Sequence, residues 1–325
     1  MSDRSRVVVV GASAEEPPPG LHVVEGVVDV AYAASVEELI RALEGADVVF
    51  AWRPNASGAM LPPAWTHAGD LKWIQAASAG VDGLLFPELV ESHVVLTNAR
   101  GVFDAAIAEY VVGLMLLFAK DFPGVLEGQR RREWRVGDTE TLEGKHLLVV
   151  GIGPIGRRIG KAGRNLGMQV RGLGRSGRAG DAVFGTIHGA EDLLEAVGWA
   201  DYVVDALPAT SQTLRRFDAE VFAAMSPWVR FINVGRGSTV DEAALVEALR
   251  DGTIAGAALD VFAEEPLPGD SPLWTLPNVV ISPHRAGDFA GWREALVELF
   301  VENLERYLTG NPLRNVVDKR LGFVP

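Results

Sequence analysis

Over the first hundred residues, short apolar runs alternate with stretches of helical periodicity. Residues 7–10, 47–52, 71–76 and 94–97 read as strands, and the alternation predicts a small parallel-sheet domain. Ser35 and Glu38 form the S-x-x-E of a capping box ahead of Leu39, Ile40 and Leu43, so a helix is expected to begin there. From Ala105 to Lys120 the pattern is hydrophobic on nearly all sides, which predicts a long helix, capped by Asp104 and buried between layers or domains. Beyond it, residues 147–150, 169–173, 201–206, 229–234, 254–259 and 279–282 again read as strands, and helical stretches such as 190–197 and 241–250 separate most of them. Leu296, Leu299, Phe300 and Leu304 recur at helical spacing and place a last helix over residues 288–308. A chain of 325 residues exceeds one ordinary domain, and this order of elements predicts a two-domain α/β protein with doubly wound parallel sheets.

The apolar run 147–150 passes directly into Gly151-Ile152-Gly153-Pro154-Ile155-Gly156, after which the pattern turns helical. In a dinucleotide-binding βαβ unit the first glycine permits the tight turn, the second lets the backbone approach a pyrophosphate, and the third lets helix and strand pack closely. The helix N-terminus then faces the phosphates. Earlier in the chain, SAGVDG at 78–83 puts two glycines just beyond a strand end, where free backbone amides suit an anion as well as a plain turn would suit the chain.

Composition narrows the classes. The net charge, 30 cations minus 43 anions or −13, argues against a nucleic-acid surface, so an anionic substrate must be drawn in by local positive groups. The cluster QRRREWR at 129–135 reads as a solvated helix end or part of a subunit contact more readily than as a phosphate site. The absence of cysteine removes disulfides, thiolate nucleophiles and Cys-based zinc sites. No metal site is expected, because His22, His67, His93, His146 and His188 show no ligand spacing. The longest apolar stretch, 110–119, is too short to span a bilayer, and a cytoplasmic protein without a membrane partner is expected.

Three reactive residues follow predicted strands of the glycine-rich domain. Arg236 emerges between Gly235 and Gly237 in NVGRG, and its forked donors suit a carboxylate. Glu265 lies in LDVFAEEPLP and His284 ends ISPH. Each has a bland explanation alone, as a surface ion pair, a solvated acid or a turn cap. Together they supply a carboxylate clamp, an imidazole acid/base and an acid that orients and charges the imidazole, a complete set for reducing a 2-oxo acid.

The combination VVGIGPIG, NVGRG, LDVFAEEPLP and SPH resembles the D-isomer-specific 2-hydroxyacid dehydrogenase family, which includes glyoxylate/hydroxypyruvate reductases and phosphoglycerate dehydrogenases. The resemblance implies a flavodoxin-like substrate domain made of residues 1–100 and 289–325, with a Rossmann cofactor domain over 101–288. It implies that Arg236, Glu265 and His284 are catalytic, that the amides of Ala79, Gly80 and Val81 hold the substrate carboxylate, and that Asp260 sits near the nicotinamide carboxamide. It also implies a homodimer formed through residues 103–135. The cofactor is expected along Gly151, Gly153, Pro154, Ile155, Gly156, Leu207, Pro208, Val234 and Asp260, and along Gly174, Arg175, Ser176 and Arg178.

The last four carry the nucleotide choice. NAD-preferring members have an acid at the end of the second strand, and the matching residue here is Gly174, followed by two cations and a hydroxyl suited to a 2′-phosphate. NADP(H) is therefore favoured, with NAD(H) as the alternative. The expected function is reduction of a small 2-oxo acid to a D-2-hydroxy acid; the alternative is a catalytically weak nucleotide-sensing protein on the same scaffold. Arg285 replaces the small residues that often follow the family's histidine. Gly160 and Gly163 sit unexplained in the helix after the glycine loop, where each costs up to about 1 kcal/mol of helix propensity.

Overall fold

In the computed structural model, which describes residues 4–325, the valine run becomes β1 (Arg6–Val10), with its last four residues fully buried. A parallel strand covered on both faces needs crossover helices on both sides of its sheet. Around β1 the chain lays down β2 (Asp29–Ala33), α1 (Val36–Leu43), β3 (Val48–Ala51), α2 (Pro54–Ala64), β4 (Trp73–Ala76), α3 (Pro87–Glu91) and β5 (Val95–Thr97). The strands are parallel in the order β2-β1-β3-β4-β5, the flavodoxin-like winding. Half of the predicted capping box forms at α1: Ser35 Oγ accepts from the Glu38 amide at 3.3 Å, but the Glu38 carboxylate reaches one residue past the N-cap, to the Ala34 amide at 2.8 Å.

Two helices follow, α4 (Asp104–Ala119) and α5 (Phe122–Arg131). The chain then builds β6 (His146–Val150), α6 (Pro154–Asn165), β7 (Gln169–Leu173), a hairpin of β8 (Arg178–Asp181) and β9 (Gly185–His188), α7 (Leu193–Trp199), β10 (Tyr202–Asp205), α8 (Ala219–Ala224), β11 (Arg230–Asn233), α9 (Glu242–Arg250), β12 (Gly256–Leu259) and β13 (Val279–Ile281). Their order is β13-β12-β11-β10-β6-β7-β9-β8, parallel except for β8 against β9. The winding reverses between β6 and β10, where ligands of such sheets bind outside the carboxyl ends of the strands. Glycine makes α6 fit this sheet: a Cβ on Gly163 would lie 2.5 Å from Leu147 Cδ2, and one on Gly160 would lie 2.6 Å from Phe184 of the hairpin. The lost helix propensity is exchanged for close packing.

The chain ends with α10 (Trp292–Leu308). It begins later than the periodicity predicts, because Gly291 at its N-cap has φ 92° and turns the chain into the helix there. Contacts divide the chain into two compact units, one combining the residues up to Phe103 with Phe289–Pro325, the other Asp104–Asp288. Among the elements that escaped the hydrophobic pattern are β2, α2 and the two strands of the β8–β9 hairpin. β2 is an edge strand with only Ala33 buried, α2 holds Pro62 and Pro63 without an apolar stripe, and the β8–β9 hairpin is largely exposed. Among the described residues no helix is long and apolar enough to cross a membrane.

Returning to the first sheet, α10 stacks Phe300 on Phe50 with ring centroids 4.3 Å apart. A buried polar knot accompanies it. Asn303 donates to Gln75 Oε1 at 2.9 Å and to the Arg314 carbonyl at 3.2 Å, and accepts from the Arg314 amide at 2.8 Å. Thr97 Oγ1 donates to the same Gln75 oxygen at 2.8 Å and accepts from Trp73 Nε1 at 2.7 Å. Removing one member leaves buried partners unsatisfied. Asn303→Ala should therefore destabilise the first unit by about 2–3 kcal/mol, read as a lower urea midpoint at unchanged slope.

Candidate active site

The glycine loop folds as its spacing demands. Gly151 has φ 101°, a conformation open to glycine, and a Cβ there would also lie 2.5 Å from the Ala206 carbonyl oxygen. A Cβ on Gly156 would overlap the Gly151 carbonyl, so β6 and α6 approach backbone to backbone. Gly153 is exposed, with open space beside it, and among the described residues no side chain caps α6 at this N-terminus. Pro154 occupies the first turn, where its missing amide costs nothing. The remaining amides at the start of this 12-residue helix form a cradle that fits a dinucleotide pyrophosphate.

Arg236, Glu265 and His284 leave the same carboxyl edge. The turn carrying Arg236 presses between two neighbours: a Cβ on Gly235 would lie 2.7 Å from the Leu207 carbonyl oxygen, and one on Gly237 would overlap the Phe262 carbonyl. Asn233, buried at the end of β11, accepts from the Gly235 amide at 2.9 Å and donates to the Arg236 carbonyl at 3.1 Å. Glu265 Oε1 accepts from the Phe262 amide at 3.0 Å, and Oε2 lies 2.7 Å from His284 Nδ1. The hydrogen bond to Glu265 raises the His284 pKa above its ordinary 6.5; burial and the positive charge of Arg236 oppose the rise. Burial pushes the Glu265 carboxyl up, but the His284 and Phe262 hydrogen bonds and the charges of His284 and Arg236 bring it below its ordinary value.

His284 has φ 49°, a left-handed conformation that costs energy in a non-glycine residue and persists where the surroundings hold it. Asp260 does the holding. Its carbonyl accepts from the His284 amide at 2.8 Å, its Oδ1 from Ser282 Oγ at 2.6 Å and the Arg285 amide at 3.0 Å, and its Oδ2 from the Ala286 amide at 2.9 Å. The residue expected beside the nicotinamide carboxamide thus spends its carboxylate on the histidine turn. Arg285 keeps its amide in that clamp and exposes its side chain.

In the first unit, Asn98 donates to the Ala79 carbonyl at 2.6 Å and Ser78 Oγ to the Gly80 carbonyl at 2.5 Å, fixing the 78–81 turn by its carbonyls. The Val81 side chain is buried, so its backbone is what remains to offer. The aromatic residues Phe103 and Trp292 lie with ring centroids 6.2 Å apart, and Trp52 packs on Phe50 at 5.6 Å.

At the end of β7, a Cβ on Gly174 would lie 2.7 Å from Ile152 Cδ1, so a side chain there would require Ile152 to shift. Arg175, Ser176 and Arg178 are exposed. Arg178 lies 3.5 Å from Asp181, whose main partner is Arg157 at 2.9 Å. The Arg157 hydrogen bond, joined by the Val183 and Phe184 amides, holds the Asp181 carboxyl far below the usual carboxylate range. Leu207 and Pro208 are half-buried after β10, and Val234 is buried after β11. Sequence reasoning missed Asn98, Asn233, Asp181 and the clamping role of Asp260. For all but Asp181, which ends an exposed hairpin strand, the available signal was a polar residue closing an apolar strand.

A dinucleotide cradle with an arginine and a charged imidazole–carboxylate pair on one sheet edge defines an NAD(P)-linked oxidoreductase. The sequence profile of the D-isomer specific 2-hydroxyacid dehydrogenase NAD binding domain matches residues 112–286. Glyoxylate/hydroxypyruvate reductase B of Pectobacterium carotovorum is 35% identical over 262 residues, spanning 78% of this chain and 81% of that protein. A D-isomer specific 2-hydroxyacid dehydrogenase family protein of Aeromonas salmonicida has a solved structure with TM-score 0.83 at 32% identity, over 98% of this chain and 100% of that one. The NADPH-dependent glyoxylate/hydroxypyruvate reductase of Sinorhizobium meliloti, solved with NADP and sulfate, matches with TM-score 0.83 at 27% identity over the same shares. This chain belongs to the D-isomer-specific 2-hydroxyacid dehydrogenase family, oxidoreductases that act on CH–OH donors with NAD(P).

The imidazole–carboxylate pair makes a measurable demand. Glu265→Gln removes the charge that favours the imidazolium, so His284 should titrate at lower pH, by about one unit or more, in an NMR titration of the ring protons. An unmoved midpoint would show that the pair does not set the His284 charge.

Proposed function

We propose that this protein is a reductase that passes a hydride from NADPH to a small 2-oxo acid and releases the D-2-hydroxy acid. The observation that carries the reading is the 2.7 Å contact of His284 Nδ1 with Glu265, which favours the charged imidazole and leaves Nε2 to serve a substrate. When bound, the reduced nicotinamide supplies the hydride. Arg236 holds the substrate carboxylate in a two-donor grip and orients the carbonyl. In the first unit, the amides of Ala79, Gly80 and Val81 offer an anion-binding element of their own. As the carbonyl oxygen gains charge, His284 Nε2 delivers its proton to it, and Glu265 stabilises the imidazolium until transfer. The reverse movement of the same proton and hydride oxidises the hydroxy acid.

The preference for NADPH over NADH is supported by Gly174, where no carboxylate meets the ribose hydroxyls, by the exposed Arg175, Ser176 and Arg178 beside it, and by the NADP in the Sinorhizobium relative. Substrates of the size of glyoxylate and hydroxypyruvate are supported by the activity named for both reductase relatives. A homodimer completes the reading. It is supported by exposed apolar side chains on α5 and just after it, Phe122, Val125, Leu126, Trp134 and Val136, with Trp134 96% exposed.

A panel of 2-oxo acids should consume NADPH with higher kcat/KM than NADH, and His284→Ala should lower kcat by at least about a hundredfold. Near-normal turnover in that variant, or dinucleotide binding without consumption across the panel, would overturn the reading, the latter in favour of a nucleotide sensor. Light scattering should return twice the chain mass for the wild type and a lower mass for a Trp134→Asp, Val136→Asp variant; a wild-type monomer would contradict the dimer.

A further inference from the structure

Asp205 closes β10, is completely buried, and has no part in the proposed chemistry. Its Oδ1 accepts from the Leu207 amide at 2.9 Å, and its Oδ2 is hydrogen-bonded with Thr239 Oγ1. Thr239 is also completely buried, and its Oγ1 lies 2.6 Å from the Arg236 carbonyl oxygen. That carbonyl receives the Thr239 amide at 3.2 Å and the Asn233 side-chain amide at 3.1 Å as well.

The proton count decides what this arrangement is. A hydroxyl has one proton to give, and Thr239 Oγ1 faces two oxygens that would both be acceptors if Asp205 were ionised. A carbonyl can only accept. An ionised Asp205 would leave one of these two contacts without a proton, whereas a proton on the acid makes both of them hydrogen bonds, Asp205 donating to Thr239 and Thr239 to the Arg236 carbonyl. The surroundings agree: burial pushes the Asp205 carboxyl up to about 7, against the Thr239 and Leu207 hydrogen bonds that favour its anion. Across the sheet Asp205 pairs with Val150 and Asn233, neither of which ionises.

We propose that Asp205 is a neutral carboxyl that donates to Thr239, that the Thr239 hydroxyl donates to the Arg236 carbonyl, and that this relay positions Arg236 for the substrate carboxylate. Both are positioning residues, and the inference rests on the reading of Arg236 as the carboxylate clamp. The relay adds to the Asn233 hydrogen bonds and to the Val234 amide, which donates to the Asp205 carbonyl at 3.0 Å, in tying the exit of β11 to the end of β10.

Two variants test the two halves. Thr239→Val removes the hydroxyl, so the KM for the preferred 2-oxo acid should rise roughly tenfold while kcat and the dinucleotide Kd change less than about twofold, and Thr239→Ser should restore it. An unchanged KM in a folded Thr239→Val would overturn the positioning role. Asp205→Asn presents an N–H to Thr239 and an oxygen to Leu207, as the neutral acid does, but does not titrate.

Below about pH 7 the folded protein keeps a proton that the unfolded chain releases near its ordinary 3.8, so wild-type stability falls as pH rises through that window. The Tm of Asp205→Asn should thus gain on wild type by roughly 5 °C between about pH 5 and pH 8. A gap that stays constant between about pH 5 and pH 8 would show an ionised Asp205 and overturn the relay. Melting needs no turnover, so this arm decides even if Thr239→Val fails to fold. A wild type that reduces no 2-oxo acid would strike the reductase reading alone.

Discussion

Burial of parallel strands on both faces is the constraint on which the rest of this structure depends. The residues of β6 from Leu147 and all of β10 are buried, and β11 is buried from Phe231 onward. A sheet walled in by helices has no lateral surface for chemistry, so polar groups gather where strands end. Arg236, Glu265 and His284 all follow strands at this edge, and the glycine loop opens there as well.

The same edge repeats one local device. Asp205 and Asn233 are the last residues of β10 and β11, and Asp260 follows β12; all three are buried, and each turns its side chain onto the backbone beyond a strand. Asp205 holds the Leu207 amide, Asn233 the Gly235 amide and Arg236 carbonyl, and Asp260 the Arg285 and Ala286 amides. A buried polar group is costly unless it is hydrogen-bonded, and loop backbone has amides and carbonyls that need partners. Joining the two needs rigid strand ends on one side and the loops of the candidate site on the other. The left-handed His284 is stable on these terms, because Asp260 accepts its amide and those of the two residues after it.

The His284–Glu265 pair works on a different principle. Its side chains are 49% and 35% exposed, so water screens it and its worth to stability is small. What the contact shifts is the balance of protons: it raises the His284 pKa and helps lower that of Glu265, favouring the charged form of each. The buried strand-end groups hold the loops still, and the exposed pair holds a proton ready.

The two-sheet α/β class, the glycine loop and the residues of the candidate site were legible in the sequence, because each rests on short-range pattern: apolar runs of strand length, glycines at fixed offsets, and reactive residues directly after strands. β2, α2 and the β8–β9 hairpin were not, because an edge strand with one buried residue and a proline-bearing helix carry little periodic signal. Only the tertiary structure showed that Gly160 and Gly163 make room for Phe184 and Leu147, that Asp260 serves the histidine turn, and that Asp205 meets Thr239. Those contacts join residues brought together by neighbouring strands and their helices, so whether a given aspartate is charged, neutral or a clamp depends on burial and partners that the pattern along the chain does not encode.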